Sequence, residues 1–148
     1  MVEMLITIAV IGILASVATV IYSVTLDQSK KILATNVKET LNTAIHRFNA
    51  SCYELVYAPT GTGTDEVYVL RTLQYRNPNN PQTGAPFMRN DWDPSESSST
   101  SDYRIAWQGS MFTLLTPGTS GTGLKVAFDG SDLGKTITFP SNFAMAGE

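Results

Sequence analysis

The distribution of apolar and charged residues divides the chain into two unequal parts. Residues 4–26 include no Asp, Glu, Lys, Arg or His, and Glu3 is the only charged side chain before Asp27. A helix of that length is roughly 35 Å long, enough to cross a hydrocarbon layer of about 30 Å. Because it is apolar on every side, such a helix needs lipid or other helices around it. We therefore predict a membrane or filament-core segment, 1–26, and a head formed by 27–148.

Beyond Asp27 the apolar positions recur at intervals of three and four residues, which is the pattern of one face of an amphipathic helix. No Pro or Gly interrupts the chain between Gly12 and Pro59. We therefore predict one continuous helix from about residue 2 to about residue 56, with its second half packed on the head. The apolar stripe of that second half consists of Ile32, Leu33, Val37, Leu41, Ala44, Ile45, Phe48, Cys52 and Leu55.

The rest of the head is typical of short strands joined by turns. Residues 67–75 predict a strand, the Pro-rich stretch 77–86 predicts irregular structure, and the Ser/Thr-rich stretch 95–101 predicts a mobile surface loop. Four later β-prone runs predict an antiparallel meander of three or four strands, covered on one face by the helix stripe. The expected fold class is therefore α+β. The four runs are 103–107, 111–115, 124–128 and 136–139.

Residues 1–15, MVEMLITIAVIGILA, closely resemble the N-terminal helix of type IV pilins, type II secretion pseudopilins and their relatives. In that family a basic leader ending in Gly is removed to leave a start of the form Phe-Thr-Leu-Val/Ile-Glu, followed by an apolar helix with small residues. Val2 and Glu3 match the Val/Ile-Glu pair, and Met1 stands where the Leu would be. The leader and the Phe-Thr pair do not precede them, so we expect Met1 to lie near the start of a processed chain. The resemblance implies a pilin-like fold.

A single acid in an otherwise uncharged apolar span is costly and needs a reason. The resemblance implies that Glu3 neutralises the free α-amine of a neighbouring subunit once both are buried in a filament core. A carboxylate is tolerated in apolar surroundings when a cation lies beside it. The alternative is that Glu3 lies at a membrane interface. Small residues in the span let helices approach closely; the positions expected to take part in subunit assembly are Met1, Val2, Glu3, Gly12, Ala15 and Ser16.

One departure from the family concerns the middle of the apolar helix. Members of the family often carry a Pro about two-thirds along this segment, whereas the corresponding residue here is Val20. In assembled pili the backbone between the Gly and that Pro can lose its helical hydrogen bonds. Without Pro, staying helical is easier by about 3 kcal/mol. We therefore expect less melting between Gly12 and Val20, with Gly12 as the only intrinsic weak point.

Three functions are compatible with an apolar helix that carries a head. The first is a pilin that waits as a single-pass protein of the cytoplasmic membrane and is then polymerised into an extracellular, type IV pilus-like filament. Its partners would be copies of itself, the inner membrane and the assembly machinery, including a prepilin peptidase. The second is a pseudopilin of a type II secretion system, and the third is a single-pass membrane-anchored binding protein. A cleaved signal peptide is disfavoured because such peptides begin with a basic residue, whereas Glu3 is acidic.

Few residues suggest catalysis or a cofactor. His46 is the only histidine and has no second His or Cys at metal-ligand spacing, so we expect neither an enzyme nor a bound cofactor. Asp129 and Asp132 could ligate calcium, as some secretion pseudopilins do in this part of the head, but a turn is favoured because calcium takes about six to eight oxygens. Cys52 is alone, which excludes an internal disulfide. The net charge of −3 gives no reason to expect nucleic acid.

Overall fold

A computed structural model describes residues 1–61 and 63–148, without the side chain of Val20. The elements in chain order are two helices followed by four short strands. The chain forms two compact units, Met1–Leu33 and Ala34–Glu148. The elements are α1 (Val2–Ser51), α2 (Asp65–Gln74), β1 (Glu96–Ser97), β2 (Arg104–Trp107), β3 (Phe112–Leu115) and β4 (Gly123–Lys125).

The first unit is helical, and three of its hydroxyl groups are satisfied within the helix itself. The hydroxyls of Thr7, Ser16 and Thr19 each donate to the carbonyl four residues earlier, over 2.9, 3.0 and 2.9 Å. This local bond removes the need for water around a polar side chain. The three hydroxyls are therefore compatible with apolar surroundings.

Helix α1 ends at Ser51, about one turn earlier than the predicted end near residue 56. The amide of Cys52 still bonds the carbonyl of Phe48, over 2.8 Å. The amide of Leu55 donates instead to the side-chain oxygen of Asn49, over 2.9 Å. In a continued helix that amide would have bonded the carbonyl of Ser51. The Asn49 side chain thus competes with the helical hydrogen bond and stops the helix.

The four strands form one antiparallel sheet in the order β1-β4-β2-β3. Strands β2 and β3 form a hairpin with Trp107 opposite Phe112, and β4 pairs with the other side of β2. The sheet therefore has four antiparallel strands, as predicted, but it is not a simple meander. A side chain at Gly123 would lie 2.5 Å from the carbonyl oxygen of Ile105, so this position of β4 needs glycine.

The prediction of a strand over residues 67–75 is wrong, because this stretch belongs to helix α2. Its buried apolar residues, Val69, Leu70 and Leu73, follow the spacing of three and four that packs one side of a helix on β2 and β4. The Val and Tyr content had favoured a strand. Two other assignments also change: 136–139 contains no strand, and the Ser/Thr-rich stretch contains β1.

The core of the second unit joins both helices to the sheet. From the predicted stripe, Leu41, Ala44, Ile45, Phe48 and Leu55 are buried, while Val37 and Cys52 are partly buried. These side chains belong to one cluster with Leu70, Ile105, Trp107, Phe112 and Leu124. The first two stripe residues, Ile32 and Leu33, are exposed instead, since they precede the unit that begins at Ala34.

One side chain of α1 also occupies the edge of the sheet. Strand β3 is an outer strand, and its residue Phe112 faces Asn42 of α1. The Phe112 amide donates to the Asn42 carbonyl oxygen over 2.8 Å, and the Asn42 amide donates back to the Phe112 carbonyl over 3.0 Å. Asn42 therefore satisfies both backbone groups that Phe112 turns away from β2.

Candidate assembly surface

The apolar part of α1 exposes nearly all of its large side chains. The exposed fraction is 65% for Leu5, 60% for Ile11 and 63% for Leu14. This helix is long and apolar enough to cross a membrane, with a mean hydropathy of 2.6 in its best stretch and none of that stretch buried in the protein. Isolated exposed apolar residues are ordinary, whereas a continuous apolar surface marks an interaction with a membrane or a protein.

Small residues are concentrated on one side of this helix. Gly12, Ala15, Ser16 and Thr19 are separated by three or four positions, which places them together on the helix surface. A Cβ at Gly12 would meet no atom within 4 Å. Nothing in the fold of the described chain therefore requires glycine here. A flat side of small residues allows another helix to approach closely.

The N-terminal end of α1 carries Glu3, the acid that we expect to take part in subunit assembly. Glu3 lies in the first turn of α1, where the positive end of the helix favours a carboxylate. Met1 and Val2 are exposed at the same end, and the amide of Leu5 bonds the carbonyl of Met1 over 3.3 Å. Among the described residues, Glu3 forms no ion pair with the amine of its own chain or with any other cation. Its carboxylate can therefore accept a partner from outside the chain.

Searches of protein-family models, of curated proteins and of solved structures each found no significant match. The function of the exposed helix must therefore be inferred from its own residues.

The two aspartates considered as calcium ligands, Asp129 and Asp132, accept hydrogen bonds from other groups of the chain. The Asp129 carboxylate accepts the amide of Ser131 over 3.0 Å, and the hydrogen bonds from Ser131 lower the pKa of Asp129. The Asp132 carboxylate accepts the indole N–H of Trp92 over 2.7 Å. In the described part of the chain, no three or more His, Cys, Asp or Glu side chains are arranged to hold a metal ion. His46 lies exposed on α1.

The lone cysteine lies just after α1 and is partly buried. Its sulfur donates to the side-chain oxygen of Gln82 over 3.1 Å. Burial raises the pKa of the Cys52 thiol, which favours the uncharged and less nucleophilic form. We therefore interpret Cys52 as a packing residue.

The sequence did not anticipate a groove on the head between α2 and the segment before β1. It has a volume of about 660 Å³ and is lined by Tyr57, Tyr68, Arg71, Asp93 and Glu96, among others. An ion pair of 2.6 Å joins Arg71 to Asp93 across it. The sequence does not predict this groove, because Tyr68 and Arg71 lie in a stretch whose pattern favours a strand, whereas the structure places them on α2.

Proposed function

We propose that this protein is a structural subunit that polymerises through its N-terminal helix into a type IV pilus-like extracellular filament. Before assembly, the same helix anchors the subunit as a single-pass protein of the cytoplasmic membrane. The observation that carries the proposal is the exposed apolar surface of residues 1–33. Identity with the pilin class remains an inference from residues 1–15.

The amount of exposed apolar surface supports association rather than a free helix in water. Fully burying a Leu, Ile or Val side chain contributes about 1.5–3 kcal/mol relative to leaving it exposed. Residues such as Leu5, Ile8 and Leu14 are more than half exposed. Transfer into lipid, and then into a bundle of identical helices, removes this surface from water in both states.

The features that favour copies of the same chain over lipid alone are the small residues and Glu3. Lipid tails gain nothing from a flat side at Gly12, Ala15 and Ser16, whereas another helix packs closely against it. A free carboxylate within a membrane is unfavourable, whereas a carboxylate beside the α-amine of a neighbouring Met1 is compensated. Both features therefore point to helix neighbours.

The decisive experiment replaces Glu3 in the cell that makes the protein. We expect Glu3→Ala to abolish filaments in sheared surface material viewed by electron microscopy, while the subunit still accumulates in the membrane. The matched control is Glu39→Ala, which removes an exposed acid of the same helix outside the apolar span. Normal filaments from Glu3→Ala, or recovery of the wild-type chain as a dispersed water-soluble monomer, would contradict the proposal.

Two alternatives predict other outcomes. A pseudopilin of a type II secretion system would assemble by the same helix but form only short periplasmic structures, so filament length separates it from a major pilin. A single-pass binding protein would tolerate Glu3→Ala and would use the head. The groove between Tyr57 and Asp93 is the observation that favours this second function. Retained membrane anchoring with no filaments in the wild type would favour it further.

A further inference from the structure

Five aromatic rings form an unbroken line of contacts on the head, and we call them the aromatic line. They are, in order of contact, Tyr57, Tyr68, Phe143, Tyr75 and Phe139. Successive ring centroids along the line are 5.3, 6.3, 4.7 and 5.0 Å apart. Each of the five residues is partly exposed. The aromatic line therefore forms part of the surface of the head.

Helix α2 sets the direction of this surface. Tyr68, Arg71 and Tyr75 are separated by three and four positions, which places them along one side of the helix and its last turn. Leu70 and Leu73 are buried on the side that packs on the sheet. Tyr68 and Tyr75 are two turns apart, roughly 10 Å along the helix axis. The surface is therefore extended, with Arg71 between its two tyrosines.

The groove between α2 and the segment before β1 meets one end of the aromatic line, because Tyr57 and Tyr68 line both. Its volume of about 660 Å³ lies within the range of small-molecule sites, about 300–1,000 Å³. Arg71 donates to Oδ1 of Asp93 over 2.6 Å and to the side-chain oxygen of Gln74 over 2.7 Å. The Asp93 side chain is 42% exposed, so the ion pair leaves its second oxygen available as an acceptor.

The charges of the groove decide which ligands it favours. Glu96 lines the groove together with Asp93, so two acids accompany one guanidinium. Among the described residues that line the groove, Arg71 is the only cation, and Asp93 already engages it. An anionic ligand would meet two acids without a free cation, which opposes binding. An uncharged ligand that supplies hydroxyl groups fits these side chains better.

A polypeptide ligand suits this surface less well than a sugar. Strand β1 beside the groove has only two residues, too few to guide an added peptide strand. A partner helix would need a continuous apolar groove, whereas the Arg71–Asp93 ion pair lies across this one. A sugar ring has an apolar face of C–H groups, which the negative face of an aromatic ring attracts, and hydroxyls at its edge.

We propose that the aromatic line and the groove together bind an uncharged polysaccharide. Sugar rings lie against the exposed aromatic rings, and the Arg71–Asp93 pair binds hydroxyl groups in the groove. The surface belongs to the head, so the proposal holds whether or not the N-terminal helix forms filaments. Because the surface is extended, a hexasaccharide should bind more tightly than the corresponding monosaccharide.

The test titrates the full chain, in a detergent without a sugar headgroup, with oligosaccharides of defined charge. The uncharged probes are cellohexaose, chitohexaose, maltohexaose and mannohexaose. Hexagalacturonate, which carries a carboxylate on every sugar, is the anionic probe, and decaproline is the peptide probe. We expect calorimetry to detect binding of at least one uncharged hexasaccharide, and weaker or no binding of the anionic and peptide probes.

Substitutions in the aromatic line test where the sugar binds. Tyr68→Leu and Tyr75→Leu keep an apolar side chain but remove the ring, so each should weaken binding by about two- to tenfold. Tyr75→Phe retains the ring and should bind as the wild type does. The matched control is Tyr103→Leu, which removes a partly buried ring that contacts Phe128. Tryptophan fluorescence checks that each variant is folded.

Three results would overturn the proposal. The first is that none of the four uncharged hexasaccharides binds the wild type, and the second is that hexagalacturonate or decaproline binds as tightly as the best of them. The third is that folded Tyr68→Leu and Tyr75→Leu bind as the wild type does. NMR of labelled tyrosine rings gives a reading without mutation. Tyr57, Tyr68 and Tyr75 should shift with the sugar, and shifts confined to Tyr22 or Tyr103 would contradict the assignment.

Discussion

The two units of this protein distribute their side chains in opposite ways. In Met1–Leu33, apolar side chains are exposed and the hydroxyls of Thr7, Ser16 and Thr19 bond their own helix. In Ala34–Glu148, apolar side chains are buried together and several polar ones are buried with them, including Thr72, Gln74 and Arg104. The head thus has an apolar core of its own. The apolar surface of the first unit is instead suited to being covered by lipid or by other helices. This difference supports the proposal that the helix carries out assembly.

The largest expected contrast comes from shortening one leucine in each unit. Leu41 is fully buried, so Leu41→Ala should lower the free energy of unfolding of the head by about 2–5 kcal/mol. Leu14 is 63% exposed, so Leu14→Ala should leave head unfolding unchanged and weaken filament formation. Tryptophan fluorescence in denaturant measures the first effect, and filament yield measures the second. Equal effects of both changes on head unfolding would remove the distinction between the units.

A pair of glycine substitutions sharpens the same contrast. Gly123→Ala places a Cβ 2.5 Å from the Ile105 carbonyl and should destabilise the head by about 1–3 kcal/mol, since β2 and β4 must separate. Gly12→Ala meets no atom within 4 Å and should stabilise the helix by about 1 kcal/mol. If Gly12 faces another helix in the filament, the added methyl group should nevertheless reduce filament yield. Unchanged filaments would place Gly12 away from the subunit contacts.

A smaller loss tests how the C-terminal segment is held. The buried hydroxyl of Thr72 accepts the amide of Ala146 over 2.8 Å and donates to the carbonyl of Tyr68 over 3.0 Å. Thr72→Val keeps the shape but leaves that amide without a partner, which should cost about 1–3 kcal/mol in denaturant unfolding. Thr72→Ser, which retains the hydroxyl, is the matched control. Equal stability of the Val and Ser variants would show that this bond contributes nothing.

The smallest effect concerns a tyrosine on the same segment. The Tyr53 hydroxyl donates to the Ala146 carbonyl over 2.8 Å, and burial together with the charge of Glu148 raises the pKa of Tyr53 to about 12. Tyr53→Phe should cost about 1 kcal/mol. Because the folded pKa is raised, the contribution of Tyr53 persists below about pH 10 and disappears as the pH rises through about 12. Absorbance titration of the phenolate measures the shift, with Tyr75→Phe as the control.

Several features of the fold were readable from the sequence because they depend on local pattern. The absence of Pro and Gly after Gly12 predicted a helix that indeed continues into the head. The runs at 103–107 and 111–115 predicted antiparallel strands, and they form β2 and β3. Helix α2 was missed because Val67, Tyr68 and Val69 favour strands by themselves, and only packing against β2 and β4 decides otherwise. In this segment, packing against the sheet therefore outweighs the strand propensity of the residues.

The candidate sites were predictable to different degrees. The apolar span and Glu3 follow directly from the order of residues, so the exposed helix could be expected. The groove lined by Tyr68, Arg71 and Asp93 could not, because it forms only when residues 65–74 fold as helix α2. The smaller melting expected between Gly12 and Val20 stays a prediction for the assembled state.

The two hydrogen bonds between Asn42 and Phe112 affect how copies of this protein can pack at high density. Under the proposed function, anchored subunits crowd together in a membrane, and an open outer strand is the usual place where neighbouring sheets fuse into cross-β aggregates. Here the side-chain amide of Asn42 already pairs with one residue of that edge on β3, Phe112. At Phe112 the outer strand β3 is therefore closed to a neighbouring sheet, which under the proposed function favours ordered contacts through the helices.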